Sequence, residues 1–144
     1  MLIGEYTHTF DTKNRVALPA KFRKEFGKKV IVTKGLDRCL FIYTHKAWEK
    51  IVARMSDLSI GQAGTRGFNR FMLSGAVEVE PDSQGRILIP DFLKGFANLG
   101  GKVVLAGVND RVEVWNESEW ETYKSNIEQN ADQLAEKLGE IGIL

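Results

Sequence analysis

The chain has 144 residues, 43% of them hydrophobic and 27% charged, which is the composition of a folded globular protein and excludes a disordered one. A single cysteine excludes an internal disulfide framework and fits a reducing cytosol, and neither an export signal nor an apolar run of about 18 residues is found. The net charge is +1, so the chain as a whole is neither strongly basic nor strongly acidic.

The first half is expected to alternate short strands with two helices. Pro19 suits the first position of a short helix that Gly27 ends, and Thr44 is a good N-cap for a longer helix. We expect the Asp11–Arg15 turn to join the strands on either side of it in a hairpin. The expected elements are strands at 1–10, 16–18, 30–32 and 40–43, a short helix from 19 and a helix from 44 to about 55.

The second half is expected to follow the same plan after a glycine-containing linker at 59–67 and a short helix around Phe68–Met72. The expected elements are strands at 76–80, 87–89, 102–106 and 111–115, a short helix from 90 and a helix from 117 to about 138. Apolar residues recur every seven positions in the last helix. This pattern suits packing on a neighbouring subunit as well as on the chain's own core.

An internal repeat organises the chain. Asp11, Arg15 and Pro19 correspond to Asp82, Arg86 and Pro90, which lie 71 residues later in the chain. After one inserted residue the offset becomes 72, so that Ile31 and Val32 correspond to Val103 and Val104. Two copies predict a pseudo-twofold unit with a shared core. We therefore divide the chain into a first half at 1–58, a linker with a short helix at 59–75, and a second half at 76–144.

Few residues indicate an enzyme. His8, His45 and Cys39 lack neighbouring ligands at metal-binding spacing, and no phosphate-binding loop or calcium loop is present. A Cys–His nucleophile pair is conceivable, but a cysteine in an apolar strand is more often simply buried. We therefore expect no catalytic residue, no metal site and no cofactor.

The repeated Asp-x-x-x-Arg frame is the best candidate site. Residues 1–54 hold 12 Lys and Arg against 5 Asp and Glu, whereas 55–144 hold 8 against 14, so the first copy lies in a basic setting. An arginine on a two-stranded ribbon can grip phosphate or a guanine edge. The alternative to DNA binding is that each Asp–Arg pair only stabilises its turn and that charge simply varies along the surface. The candidate DNA-binding residues are Asp11, Lys13, Arg15, Asp82 and Arg86.

The motifs resemble the MraZ family of bacterial transcriptional regulators, built from two AbrB/SpoVT-like halves. The resemblance rests on the N-terminal run from Met1 to Asp11, both Asp-x-x-x-Arg frames with their prolines, Gly35-Leu36-Asp37, and the segment 71–76. It implies an α+β fold, mainly β with flanking helices, as a swapped-hairpin double-psi β-barrel.

The same resemblance implies a function. It implies a cytoplasmic, nucleoid-associated homo-oligomer, closed into a ring, that binds short tandem repeats in double-stranded DNA. The resemblance further implies that the repeats lie upstream of the division and cell-wall gene cluster and that the protein represses its own operon. The motif carried over for DNA contact is Asp11 and Arg15 with Asp82 and Arg86. We expect the first copy to be the main contact, because its surroundings are basic.

Two other classes of function remain open. One is a protein-interaction or assembly module with a double-psi barrel and no DNA role. Similar barrels occur in the substrate-recognition domains of some ATPases, and the absence of an ATPase segment in these 144 residues weighs against this as the full function. A small barrel decarboxylase would need a self-processing Gly-Ser site, and the chain has none. DNA affinity that falls steeply with salt would separate the regulator from both.

Overall fold

The computed structural model describes all 144 residues as eight strands and five helices. The strands are β1 (Leu2–Thr9), β2 (Arg15–Ala17), β3 (Val30–Lys34), β4 (Leu40–Thr44), β5 (Val77–Val79), β6 (Arg86–Leu88), β7 (Lys102–Asn109) and β8 (Val112–Asn116). The helices are α1 (Ala20–Phe26), α2 (His45–Ser56), α3 (Ala63–Ser74), α4 (Asp91–Phe96) and α5 (Glu117–Glu140). None of these helices combines the length and the apolar composition that crossing a membrane requires.

The strands form two sheets in which every pair is antiparallel. Six strands lie in the order β1-β7-β8-β4-β3-β5, and β2 pairs with β6 in a separate two-stranded ribbon. The α+β class with flanking helices is therefore correct. The double-psi barrel is not confirmed, since β1 and β5 remain unpaired edges at opposite ends of the larger sheet and no closed barrel is found.

The order of the larger sheet is symmetric. Replacing β1, β3 and β4 by β5, β7 and β8, and the reverse, gives the same order read from the other end. The first strand of each half therefore pairs with a strand of the other half. The predicted local hairpin is wrong for this reason: β1 pairs with β7 and β2 with β6. The turn between them reverses the chain but does not choose the partner strand.

The repeat is out of register by one residue from the alignment predicted for β3. Val30 and Val32 point into the larger core, as Val103 does, whereas Ile31 and Val104 contact the smaller core on the opposite face. Since neighbouring side chains in a strand point to opposite faces, Val30 corresponds to Val103, at an offset of 73. The predicted pairing of Ile31 with Val103 would have joined residues on opposite faces.

Two hydrophobic cores lie on the two faces of the larger sheet. The larger core has 18 buried residues from the sheet, the ribbon, α1 and α4, including Val16 and Ile87 of the ribbon. The smaller core has 8 buried residues beneath α2, α3 and the first turns of α5. The ribbon therefore packs its inner face on the larger core. Its other residues are left partly or fully exposed.

Helix α3 corrects the predicted linker. It begins at Ala63 and so includes Gly64 and Gly67, which cost roughly 1 kcal/mol each in a helix relative to alanine. Burial of Met72 offsets this cost, and the Met72 carbonyl accepts a hydrogen bond of 2.6 Å from the buried Thr33 hydroxyl. The irregular connection is therefore shorter than predicted. The division into halves at 58 and 76 remains a prediction.

Candidate nucleic-acid interface

The first loop, residues 11–15, is a tight turn closed by the carboxylate of Asp11. Asp11 Oδ1 accepts the backbone N–H groups of Lys13 and Arg15, each at 2.9 Å, and Oδ2 accepts Nε–H of Arg15 at 2.8 Å. The Asp11 N–H donates to the Arg15 carbonyl at 2.9 Å. Asn14 adopts φ of 60°, a left-handed conformation that asparagine tolerates better than most residues. The loop therefore fixes the base of the arginine side chain.

The second loop, residues 82–86, repeats these contacts at an offset of 71. Asp82 Oδ1 accepts the N–H groups of Gln84 and Arg86 at 2.9 Å, and Oδ2 accepts Nε–H of Arg86 at 2.8 Å. Gly85 takes the left-handed position with φ of 75°. Equal geometry in both copies confirms that Asp-x-x-x-Arg is a structural frame, with asparagine or glycine at its fourth position.

Pairing of β2 with β6 brings the two frames together. Arg15 Nη1 lies 3.8 Å from Asp82 Oδ2, and Arg86 Nη1 lies 3.9 Å from Asp11 Oδ2. These four residues form what we call the Asp–Arg cluster. Each arginine side chain is about 30% exposed, at 27% for Arg15 and 31% for Arg86, and its Nη atoms donate no hydrogen bond to the protein.

The electrostatics of the cluster are balanced. The backbone N–H of Arg15 most strongly lowers the pKa of Asp11, and the Arg15 guanidinium adds to this effect. The backbone N–H and guanidinium of Arg86 lower the pKa of Asp82 in the same way. Both carboxylates are therefore ionised at neutral pH, and two negative charges face two positive ones. Attraction of a polyanion to this place has to come from cations around the cluster.

Such cations lie close in sequence to the first loop. Lys13 is exposed at the loop tip, where the second loop carries the neutral Gln84. Helix α1 and the residues after it present a further group of exposed cations. These are Lys21, Arg23, Lys24, Lys28 and Lys29, of which Lys29 pairs with Glu78 at 3.0 Å.

The tip of the first loop is tied to α4. Asn14 donates Nδ2–H to Asp91 Oδ1 at 3.1 Å, and its Oδ1 accepts a hydrogen bond of 2.7 Å from Lys94 Nζ. Lys94 Nζ also lies 4.4 Å from the ring centre of Phe10, at a distance suited to a cation–π contact. The helix of the second half thus supports the loop of the first.

The tip of the second loop is supported by α1 in the equivalent way. Arg23 matches Lys94 at an offset of 71, and it donates Nε–H to the Leu18 carbonyl at 2.8 Å. Its guanidinium lies so close to Gly85 that a Cβ there would collide with it. The sequence analysis missed this contact. Extending the offset of 71 from Pro90 to Lys94 was the signal that could have found it.

The remaining candidate residues of the sequence lie elsewhere. The Cys39 thiol is buried, which raises its pKa, and it donates to the Leu36 carbonyl at 3.2 Å. His45 Nε2 lies 2.7 Å from Glu78 Oε2, and partial burial lowers the pKa of His8. No group of three or more His, Cys, Asp or Glu side chains that could hold a metal ion occurs in the structure.

Two segments of the chain, residues 1–71 and 72–140, match the model of the MraZ protein family, whose description calls it antitoxin-like. The chain belongs to the MraZ family. Each matched segment contains one Asp-x-x-x-Arg frame, so the resemblance stated from these motifs is confirmed.

Curated relatives in the MraZ family match the chain almost end to end. A protein named "Transcriptional regulator MraZ" from Thermoanaerobacter sp. (strain X514) is 46% identical over 143 residues, covering 99% of this chain and 100% of the relative. A second protein of the same name, from Alkaliphilus oremlandii (strain OhILAs), is 48% identical over 143 residues, which again cover 99% of this chain and 100% of the relative. The name describes a regulator, which is not a class of enzyme.

Proposed function

We propose that the protein is a sequence-specific DNA-binding transcriptional regulator whose contact with DNA is the Asp–Arg cluster. The observation that carries this proposal is the position of Arg15 and Arg86 on the outer face of a two-stranded ribbon, diagonally across from each other, with their Nη groups free of hydrogen bonds to the protein. The relatives named as transcriptional regulators support it.

The major groove of B-DNA admits a two-stranded β-ribbon, and the outer face of β2 and β6 carries both arginines. An arginine whose Nε is held by a carboxylate keeps both Nη groups pointing in one direction. It can then donate to the O6 and N7 atoms of guanine or to a phosphate. Lys13 and the cations of α1 would neutralise backbone phosphates, which accounts for affinity but not for sequence preference.

The carboxylates of Asp11 and Asp82 have a different role in this proposal. Each accepts two backbone N–H groups and one guanidinium N–H, so its oxygens are already engaged. A carboxylate also repels phosphate. Both aspartates therefore position the arginines, and the contacts with DNA come from Arg15, Arg86 and Lys13.

The proposed assembly is a closed ring that binds short tandem repeats and represses its own operon within the division and cell-wall gene cluster. Each subunit presents a small site of balanced charge, so a single contact is expected to be weak. Several such sites on one rigid ring that meets evenly spaced repeats gain from effective concentration. We accordingly place the protein in the cytoplasm, in association with the nucleoid.

Fluorescence anisotropy tests the proposal, using labelled DNA from upstream of the protein's own operon and a scrambled duplex of equal length. Tight binding to the upstream DNA, with an affinity that falls steeply between about 50 and 200 mM salt, is expected. Equal affinity for both duplexes would overturn sequence-specific regulation. That result would favour a protein-interaction module without a DNA role.

A further inference from the structure

The C-terminal helix leaves a large surface without a partner. Only the start of α5 is anchored: Glu5 on β1 accepts a hydrogen bond from Trp120 Nε1 at 2.9 Å and pairs with Lys124 Nζ at 2.9 Å. No residue of α5 is buried, and every residue after Lys124 is exposed. The last sixteen residues of this helix, 125–140, therefore have no packing contact that explains their apolar positions.

The apolar positions of this far part form one stripe. Ile127, Ala131, Leu134, Leu138 and Ile141 recur at alternating spacings of four and three, which is the pattern of a helix face buried against another helix. The large side chains inside the helix are 40% exposed for Ile127, 39% for Leu134 and 38% for Leu138, and Ile141 just after the helix is 69% exposed. The stripe therefore fits a partner surface that is itself partly apolar.

A stripe of unpaired carboxylates runs beside the apolar one. Glu128, Asp132, Glu136 and Glu140 are spaced by four residues, so they lie in one row along the helix. None of them forms an ion pair within the chain. The whole of α5 holds seven Asp and Glu against two Lys. The partner surface is therefore expected to be basic.

Helix α2 presents a groove with the complementary character. Lys46, Lys50 and Arg54 are exposed, are also spaced by four residues, and form no ion pair within the chain. They line a groove of about 510 Å³ together with the apolar side chains of Ala47 and Ile51. The twelve residues of α2 span about 18 Å, and residues 127–140 of α5 span about 20 Å, so the two helices have matching lengths.

The groove and the helix cannot meet within one chain. The groove is also lined by Asn109 and Asp110, which precede β8, whereas α5 begins at Glu117 after the opposite end of that strand. Because α5 is a single unbroken helix of 24 residues anchored at its start, its far part cannot turn back to α2. The contact therefore requires a second copy of the chain.

We propose that residues 127–140 of α5 dock into the α2 groove of a second copy, with the carboxylate row facing Lys46, Lys50 and Arg54. Each copy offers both a helix and a groove, so the contact runs head to tail, and a head-to-tail contact closes into a ring when its rotation allows. Pairing of α5 with α5 is disfavoured because it would bring two acidic helices together. This inference deepens the proposed function and rests on its ring assembly alone.

Charge reversal tests the contact, with assembly mass measured by light scattering in the absence of DNA. One variant carries K46E, K50E and R54E, and the other carries E128K, D132K and E136K. Each alone places like charges in the contact, so its mass should fall toward the 16.2 kDa of a single chain. Mixing the two should restore the assembly, because every contact in an alternating ring then joins opposite charges.

A matched control changes the same amount of charge elsewhere. The variant K21E/K24E/K28E alters three exposed lysines in and just after α1 and should keep the wild-type mass. A monomeric wild type, wild-type mass for either reversed variant, or no recovery on mixing would overturn the proposal. Because no DNA is present, these outcomes are independent of sequence-specific DNA binding, which the anisotropy experiment tests separately.

Discussion

The two Asp-x-x-x-Arg loops share a backbone and differ at their tips. In both, one aspartate holds two backbone N–H groups and the arginine Nε at the same distances within 0.1 Å. The first loop has Lys13-Asn14 where the second has Gln84-Gly85. The comparison separates two properties: the frame sets where the arginine lies, and the tip sets the local charge and the contact with the opposite helix.

The tips of the two loops are also held in place by different kinds of contact. Asn14 makes two side-chain hydrogen bonds to α4, whereas Gly85 has no side chain and lies beneath the Arg23 guanidinium of α1. The first tip therefore depends on side-chain hydrogen bonds and the second on close packing. If the loops are equivalent in function, changes to matching residues will have matching effects, and three experiments examine this.

Removing the arginines should have the largest effect. We expect Arg15→Ala to weaken binding to the upstream DNA roughly 100-fold and Arg86→Ala roughly tenfold, within the usual range for an arginine that contacts a base. The difference is expected because Lys13 accompanies only Arg15. Anisotropy measures both affinities, and thermal unfolding shows whether each variant is folded.

The control for these variants is Arg70→Ala, which removes an exposed α3 arginine that forms no ion pair within the chain. It should bind DNA as the wild type does. Equal losses for Arg15→Ala and Arg86→Ala would show that the cluster acts as one site and would remove the distinction between the loops. Wild-type binding by Arg15→Ala would exclude the first loop as the contact.

Changing the left-handed residues should have an intermediate effect on stability. Gly85→Ala should lower the free energy of unfolding by about 1–2 kcal/mol, because the new Cβ is strained at φ of 75° and displaces Arg23. Asn14→Gly should change it by less than about 1 kcal/mol, since relief of strain offsets the lost hydrogen bonds. Urea unfolding measures both.

A glycine in a helix provides the control for this pair. Gly64 lies in α3, and a Cβ there meets no atom within 4 Å, so Gly64→Ala should stabilise the protein by roughly 1 kcal/mol. If Gly85→Ala were also stabilising, the left-handed conformation of the second loop would not be required in solution.

Exchanging the charged tip should have the smallest effect. Lys13→Gln gives the first loop the residue of the second and should weaken DNA binding a few-fold. The slope of log affinity against log salt concentration should become smaller by about one for each loop that contacts DNA. Gln84→Lys should strengthen binding and increase the slope. The double exchange keeps the net charge, so a wild-type affinity for it would mean that the loops are interchangeable.

The sequence predicted local structure well and long-range pairing poorly. The cap at Thr44 is confirmed, since its side chain accepts the N–H of Ala47, three residues later, at 3.0 Å. The strand expected at 1–10 is also confirmed, as β1 at Leu2–Thr9. Such features depend on neighbours within one turn or one strand, and these are visible in the sequence itself.

The errors concern partners that are far apart in the chain. A turn signal at Asp11 predicts a reversal, but which strand then pairs with β2 depends on the burial of Val16 with Ile87, 71 residues away. The meeting of Arg15 with Asp82 follows from the same pairing. No local pattern encodes it, although the repeat raised the expectation of a shared core.

The symmetric order of the larger sheet has a consequence for how the chain is made. Strand β1 emerges first from the ribosome, but its partner β7 begins only at Lys102, and β3 must wait for β5. Contacts of such separation slow folding, and open strand edges are exposed to aggregation until they form. The nascent first half therefore remains incomplete through most of translation, and the sheet assembles only when the second half has appeared.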